Sequence, residues 1–219
     1  MAKRIGKSIV YENSPEIAFW AAGVGKKESE GPFGHEFDRV YEDTTLGEAS
    51  WEKSESKLLL NTTEDALKKG KMVWDDIDCI FCGDLLSQSI ASSFAFRNTG
   101  VSICGLYGAC STMALSLINA ANTLESGAAS TVVSATASHF CSSERQFRFP
   151  LEYGEIRTPS AQWTVTGSGA AILNRGNGKV RIRASRIGEI IDMGVSDANN
   201  MGAAMAPVSV RIGYIKERK

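Results

Sequence analysis

The chain has 219 residues, of which 43% are hydrophobic, 22% charged and 8% aromatic. These are globular proportions, and they exclude disordered, collagen-like and coiled-coil chains. Lysine and arginine number 24 against 25 aspartates and glutamates, a formal charge of -1, so no overall electrostatic drive toward nucleic acid exists.

The length suffices for one sizeable core or two small ones. The longest nearly uncharged tract, residues 98–124, is interrupted by Gly, Ser, Thr and Asn, and no run of about 18 apolar residues marks a membrane span. The start, Met1-Ala-Lys-Arg, is positive but lacks the apolar stretch of a signal peptide. The expected location is therefore the cytoplasm. Five cysteines, an odd number, point to reduced thiols rather than a disulfide framework.

Residues 1–50 are the least regular part, with a short strand predicted over 8–11 and a charged surface loop around Lys26-Lys-Glu-Ser-Glu-Gly. A helix pattern begins at Trp51, with Ser50 as N-cap and Gly70 as its stop. Strands are predicted over 77–82, 101–106 and 131–137, and helices over 89–97 and 111–124, with Gly127 ending the second. Residues 138–160 are polar and aromatic with two prolines, and read as a long ordered loop. Two further strands, 164–173 and 179–187, flank Arg175-Gly-Asn-Gly, which predicts a hairpin. Strands alternating with helices predict an α/β fold with a mixed, mostly parallel sheet covered on both faces, and all five strands from residue 77 onward in that one sheet.

Several motifs bear on chemistry. Cys79-Ile-Phe-Cys82 has C-x-x-C spacing, but a strand turns the two thiols to opposite faces, so buried small residues are the reading. Glycine pairs at Gly23 and Gly25 and at Gly105 and Gly108 do not form a nucleotide-binding fingerprint, and no cofactor or metal is expected. Cys110, in Tyr107-Gly-Ala-Cys-Ser-Thr, lies between a strand and a helix. The positive end of the helix dipole and nearby backbone N–H groups favour an anionic sulfur there, as an acyl-transfer nucleophile requires. The alternative is a buried cysteine that tolerates a tight turn. His139 follows the third parallel strand, at the edge where open α/β sheets bind ligands; His35 reads as a surface residue. Arg145 and Arg148 stand beside Phe147, Phe149 and Tyr153. Guanidinium groups grip carboxylates and rings stack on flat ligands; alternatively these arginines pair with Glu144 and Glu152 to fix the loop.

Tyr107-Gly-Ala-Cys-Ser-Thr, Gly83-Asp-Leu-Leu-Ser-Gln, Ser138-His139, Glu144-Arg-Gln-Phe-Arg-Phe-Pro-Leu-Glu-Tyr, Thr164-Val-Thr-Gly-Ser-Gly-Ala and residues 197–207 together resemble the stage V sporulation protein AD family of endospore-forming bacteria. The likeness runs from about residue 5 to 207. It implies a thiolase-like fold and a role in uptake of dipicolinic acid, or its calcium complex, into the developing spore. It also implies partners in the same uptake system at the membrane, a homodimer, and a location that is cytoplasmic or peripheral at the spore inner membrane. Cys110 matches the nucleophile position of thiolases and ketoacyl synthases, with His139 as its possible partner. Arg145, Arg148, Phe147 and Tyr153 become the candidate ligand-binding set.

Thiolase-like proteins contain two similar α/β halves, and residues 1–207 resemble the first. Residues 208–219 form a basic tail that departs from the family, as truncation or a frameshift would leave it. The histidine and second Cys or His that thiolases use with the nucleophile would lie in the other half. A binding module is therefore expected; the rival is a cysteine-dependent acyltransferase or condensing enzyme.

Overall fold

A computed structural model describes residues 2–147, 164–176, 178–189, 191–196 and 202–203. In chain order the elements are β1 (Lys3–Ile5), β2 (Ser8–Val10), β3 (Glu16–Gly25), α1 (Lys26–Ser29), β4 (Arg39–Tyr41), α2 (Trp51–Gly70), β5 (Cys79–Gly83), α3 (Ile90–Phe96), β6 (Ser102–Gly105), α4 (Thr112–Ser126), β7 (Thr131–Ser138), α5 (Phe140–Phe147), β8 (Gly167–Asn174), β9 (Val180–Arg181) and β10 (Ala184–Arg186).

The main sheet has the order β4-β3-β8-β7-β5-β6. β3 runs parallel to β4, and β5 runs parallel to both β6 and β7. β8 enters antiparallel between β3 and β7, which makes the sheet mixed. β7 reads Thr-Val-Val-Ser-Ala-Thr-Ala-Ser, and Val132 and Val133 are both fully buried, because helices cover both faces. Leu59, Ala66 and Leu67 of α2 and Phe96 of α3 pack with Ile80, Cys82, Val133, Ala135 and Ile172. On the opposite face Ala120 and Leu124 of α4 pack with Val132, Ala171 and Leu173. Each fully buried Leu or Ile of this kind contributes roughly 1.5–3 kcal/mol through burial.

The helix boundaries follow their caps. Ser50 Oγ accepts the N–H of Lys53 and starts α2. α2 ends one residue later than predicted. Lys71 takes the left-handed conformation, while Gly70 is needed where a Cβ would lie 2.8 Å from the Phe19 ring. Gly127, at φ 86°, ends α4 as expected. Cys79 packs with the α4 cluster and Cys82 with the α2 and α3 cluster, so the two thiols do face apart. Burial pushes the Cys82 thiol up to about 12, which leaves it inert.

Three expectations are corrected. The irregular first 50 residues contain β3, the longest strand, in the interior of the sheet. Residues 179–187 are not the second arm of a hairpin. A Cβ on Gly178 would lie 2.8 Å from the Ile17 carbonyl oxygen, and this close approach carries the chain across the start of β3. β9 there pairs with Glu16 and Ile17 of β3 rather than with β8. β10 then joins β2 and β1 in a separate three-stranded sheet, so the segment is divided between two sheets. Finally, residues 140–147 are helix, not loop. Their inward face is polar, with Ser142, Ser143 and Glu144 buried, so no apolar periodicity announces it. No helix among the described residues is long and apolar enough to cross a membrane.

Candidate functional site

The carboxyl ends of β3, β5 and β7 and the amino end of β8 meet at one edge of the sheet and border a cleft of about 710 Å3. Ala22 and Val24 come from β3, Gly83 from β5, Thr136, Ala137 and Ser138 from β7, and Gly167, Ser168 and Gly169 from β8. Cys110, Thr112 and Met113 line it from the start of α4, and Phe37, Leu85 and Val165 add apolar walls.

The Cys110 turn is held from several sides. Ser111 Oγ donates to the Gly108 carbonyl at 2.7 Å, and Thr112 Oγ1 donates to that of Ala109 at 2.7 Å while accepting the Gly108 N–H at 3.1 Å. Ala109 sits at φ 46°, a left-handed conformation that costs a non-glycine residue about 1–2 kcal/mol. Gly83 lets β5 approach this turn. A Cβ there would overlap the Leu106 carbonyl oxygen and lie 2.6 Å from Thr112 Cγ2. The result is an exposed Cys110 thiol at the amino end of α4, facing the cleft.

His139 is elsewhere. Its ring is fully buried, with Nε2 2.7 Å from the Thr44 carbonyl oxygen and Nδ1 accepting the Cys141 N–H at 3.2 Å. Those two bonds require the proton on Nε2 and occupy both ring nitrogens. Burial lowers its pKa, against smaller raising effects of the Thr44 carbonyl and the Glu28 charge. The imidazole is not among the cleft-lining side chains, although its neighbour Ser138 is. The structure therefore brings Cys110 to the cleft and ties His139 into the packing behind it. His35 is exposed beside Glu36, as read.

One wall is built by residues 164–166. Glu144 Oε1 accepts the N–H of Thr164 at 2.9 Å and its hydroxyl at 2.7 Å. Ser138 Oγ donates to the Val165 carbonyl, and Glu28 Oε1 accepts the Thr166 N–H at 3.0 Å. Arg145 and Phe147 lie on α5, and Arg148, Phe149 and Tyr153 fall outside the described residues, as do the side chains of the first two.

Two acids escaped the sequence reading. Asp84, 1% exposed, accepts the N–H of Leu86 and both the N–H and hydroxyl of Ser92, pinning the loop that borders the cleft. Glu55 is fully buried on α2. Its signal was present in the pattern, since it shares a helix face with Leu58, Leu59 and Thr62, where a carboxylate has no ordinary place.

The model of the stage V sporulation protein AD family matches residues 6–217. The chain is also 35% identical over 200 residues to stage V sporulation protein AD of Bacillus subtilis (strain 168). The chain belongs to the stage V sporulation protein AD family. The matched residues run past 207 into the basic tail. The aligned part covers 91% of this chain and 59% of that relative, so the chain spans little more than half of its length. Among solved structures, an OleA variant of Xanthomonas campestris with cerulenin superposes with a TM-score of 0.52 at 12% identity, over 76% of this chain and 58% of that one. The same variant without it gives 0.50 at 14%, over 76% and 57%. This family member thus has a thiolase-like fold, with a mixed sheet and helices on both faces.

Proposed function

We propose that this sporulation-family chain binds dipicolinic acid, or its calcium complex, in the cleft beside Cys110 during uptake into the developing spore. The observation that carries the reading is the make-up of the cleft. It presents a thiol and apolar walls, and its described lining contains no imidazole to activate that thiol. Its two carboxylates, Glu28 and Asp84, each accept backbone N–H groups. A planar ligand suits such walls. The cationic donors for its carboxylates come, on this reading, from Arg145 and Arg148, which follow β7 and the cleft rim in sequence.

The same reading includes a homodimer, contacts with other proteins of the uptake system, and a location in the cytoplasm or at the surface of the spore inner membrane. Calorimetric titration of the chain with dipicolinic acid, with and without calcium, tests it. Saturable binding supports the proposal, and absence of heat at millimolar ligand overturns it.

The second reading, acyl transfer through Cys110, is favoured by one feature: an exposed thiol at a helix start, after a strained Ala109. Incubation with acyl-CoA followed by mass spectrometry decides it. A thioester on Cys110 supports the enzyme, and an unmodified thiol supports the binding module.

A further inference from the structure

The cleft floor is a row across three strands. In register, Ala22 of β3 stands opposite Gly169 of β8, and Gly169 stands opposite Thr136 of β7. Opposed residues on neighbouring strands direct their side chains to the same face, and all three positions line the cleft. A side chain at 169 would therefore rise into the cleft between Ala22 and Thr136.

The usual reasons for a glycine do not hold at this position. Its φ is not positive, so the backbone does not require it. A Cβ built there meets nothing within 4 Å among the described residues, so their packing does not require it either. Gly83, also in the cleft, is the opposite case, forced by the Leu106 carbonyl and Thr112. Glycine inside a strand weakens it and often marks close approach of a ligand. What the missing side chain supplies at 169 is space.

We propose that Gly169 is the specificity-determining position of the cleft, leaving room for a flat, aromatic ligand body to lie against the backbone of β8. Val24, Phe37, Leu85, Met113 and Val165 give that body apolar surroundings. The proposal rests on the reading of the cleft as a ligand site, and it names the feature that admits a planar ring rather than a particular ligand.

The test uses Gly169→Ala, Gly169→Val and Gly169→Phe in the full chain. Cys110 is alkylated with iodoacetamide, which is small, and with N-(1-pyrenyl)maleimide, which is flat and bulky. Modification is read on the Cys110 peptide by mass spectrometry, because Cys104 is also exposed. The expected result is a thermal midpoint for Gly169→Ala no lower than that of the parent. Gly169→Val and Gly169→Phe should slow the pyrenyl reagent by about tenfold or more, a difference of roughly 1.4 kcal/mol, with iodoacetamide nearly unaffected. Valine is favoured in strands and answers the question if the phenylalanine variant does not fold. Folded variants that react with the pyrenyl reagent at the parent rate overturn the proposal. Dipicolinate titration of the parent is a separate arm. A parent that binds no dipicolinate, with pyrenyl access still governed by residue 169, removes that ligand and keeps the role of Gly169.

Discussion

Ser142 on α5 donates its hydroxyl to Glu55 Oε2 on α2 across 2.7 Å, and both side chains are buried. The other oxygen, Oε1, has no partner among the described residues. Burial raises the Glu55 pKa from 4.5 to about 8, with Asp84 adding to the effect and the Ser142 hydroxyl opposing it. The carboxyl is therefore protonated in the fold at neutral pH. The unfolded chain releases that proton above about 4.5. Its contribution to stability is complete below that pH, falls as pH rises toward 8 and then levels off. The slope is at most about 1.4 kcal/mol per pH unit. Glu55→Gln should flatten this dependence and gain most over the parent near pH 8. Urea unfolding of both chains at pH 5, 6.5 and 8 checks it, and a parent–variant difference that is constant with pH would sink the idea.

His139 acts in the opposite sense. Its folded pKa is lowered by burial, so its contribution is present above the ordinary imidazole value of 6.5 and is lost as pH falls. His139→Ala leaves the Thr44 carbonyl and the Cys141 N–H without their ring partner. The expected cost is about 2–4 kcal/mol, with the alkylation rate of Cys110 at pH 7 unchanged. If alkylation slows strongly while the fold persists, His139 works with the thiol after all.

Gly83→Ala places a methyl group against the Leu106 carbonyl and Thr112. Overpacking of this kind costs about 1–3 kcal/mol. Because the clash pushes on the turn that presents Cys110, its alkylation rate should change together with the thermal midpoint. A midpoint equal to that of the parent would show that β5 and α4 can part without cost.

Arg145→Ala and Arg148→Ala should each weaken dipicolinate binding about tenfold or more, since a bidentate charged contact is worth roughly 1.5–3 kcal/mol. Thermal stability should hardly move. Calorimetry on both variants decides the point, and parental affinity in both would place the ligand's carboxylates elsewhere.

All four residues of β6 are exposed, and among the described residues β6 pairs with β5 along one side only. A strand edge unpaired among the described residues, carrying exposed Ile103 and neighboured in sequence by exposed Ile90, Phe94 and Tyr107, invites a second copy. The chain should scatter light as a dimer, and Ile103→Lys should shift it toward monomer. A parent chain that stays monomeric at high concentration would count against this.

The sequence was most readable where burial is apolar. β5, β7, α2 and α4 follow from runs of Leu, Ile, Val and Ala and from their caps, and the Cys110 turn follows from small residues between a strand and a helix. α5 was illegible because its buried face is made of Ser142, Ser143 and Glu144, of which Ser142 bonds to Glu55 and Glu144 to Thr164 rather than packing through hydrophobic contact. β3 was hidden by the charged, glycine-containing segments around it. The pairing of β9 and β10 depends on contacts with residues more than 150 positions away, which no local pattern encodes. His139 was placed at the correct sheet edge, but which way its ring turns depends on the Thr44 carbonyl, 95 positions earlier.

The reversed entry of β8 also bears on how the family can diversify. Ser138 and Gly167 are register partners, so the chain leaves β7 and enters β8 at one point on the cleft rim. The two ends of the intervening segment, 139–166, are therefore fixed by the sheet. Doubling the length of such an insertion costs only about 0.6 kcal/mol in closure entropy. The length between β7 and β8 can therefore change at small entropic cost while the strands beneath keep their register.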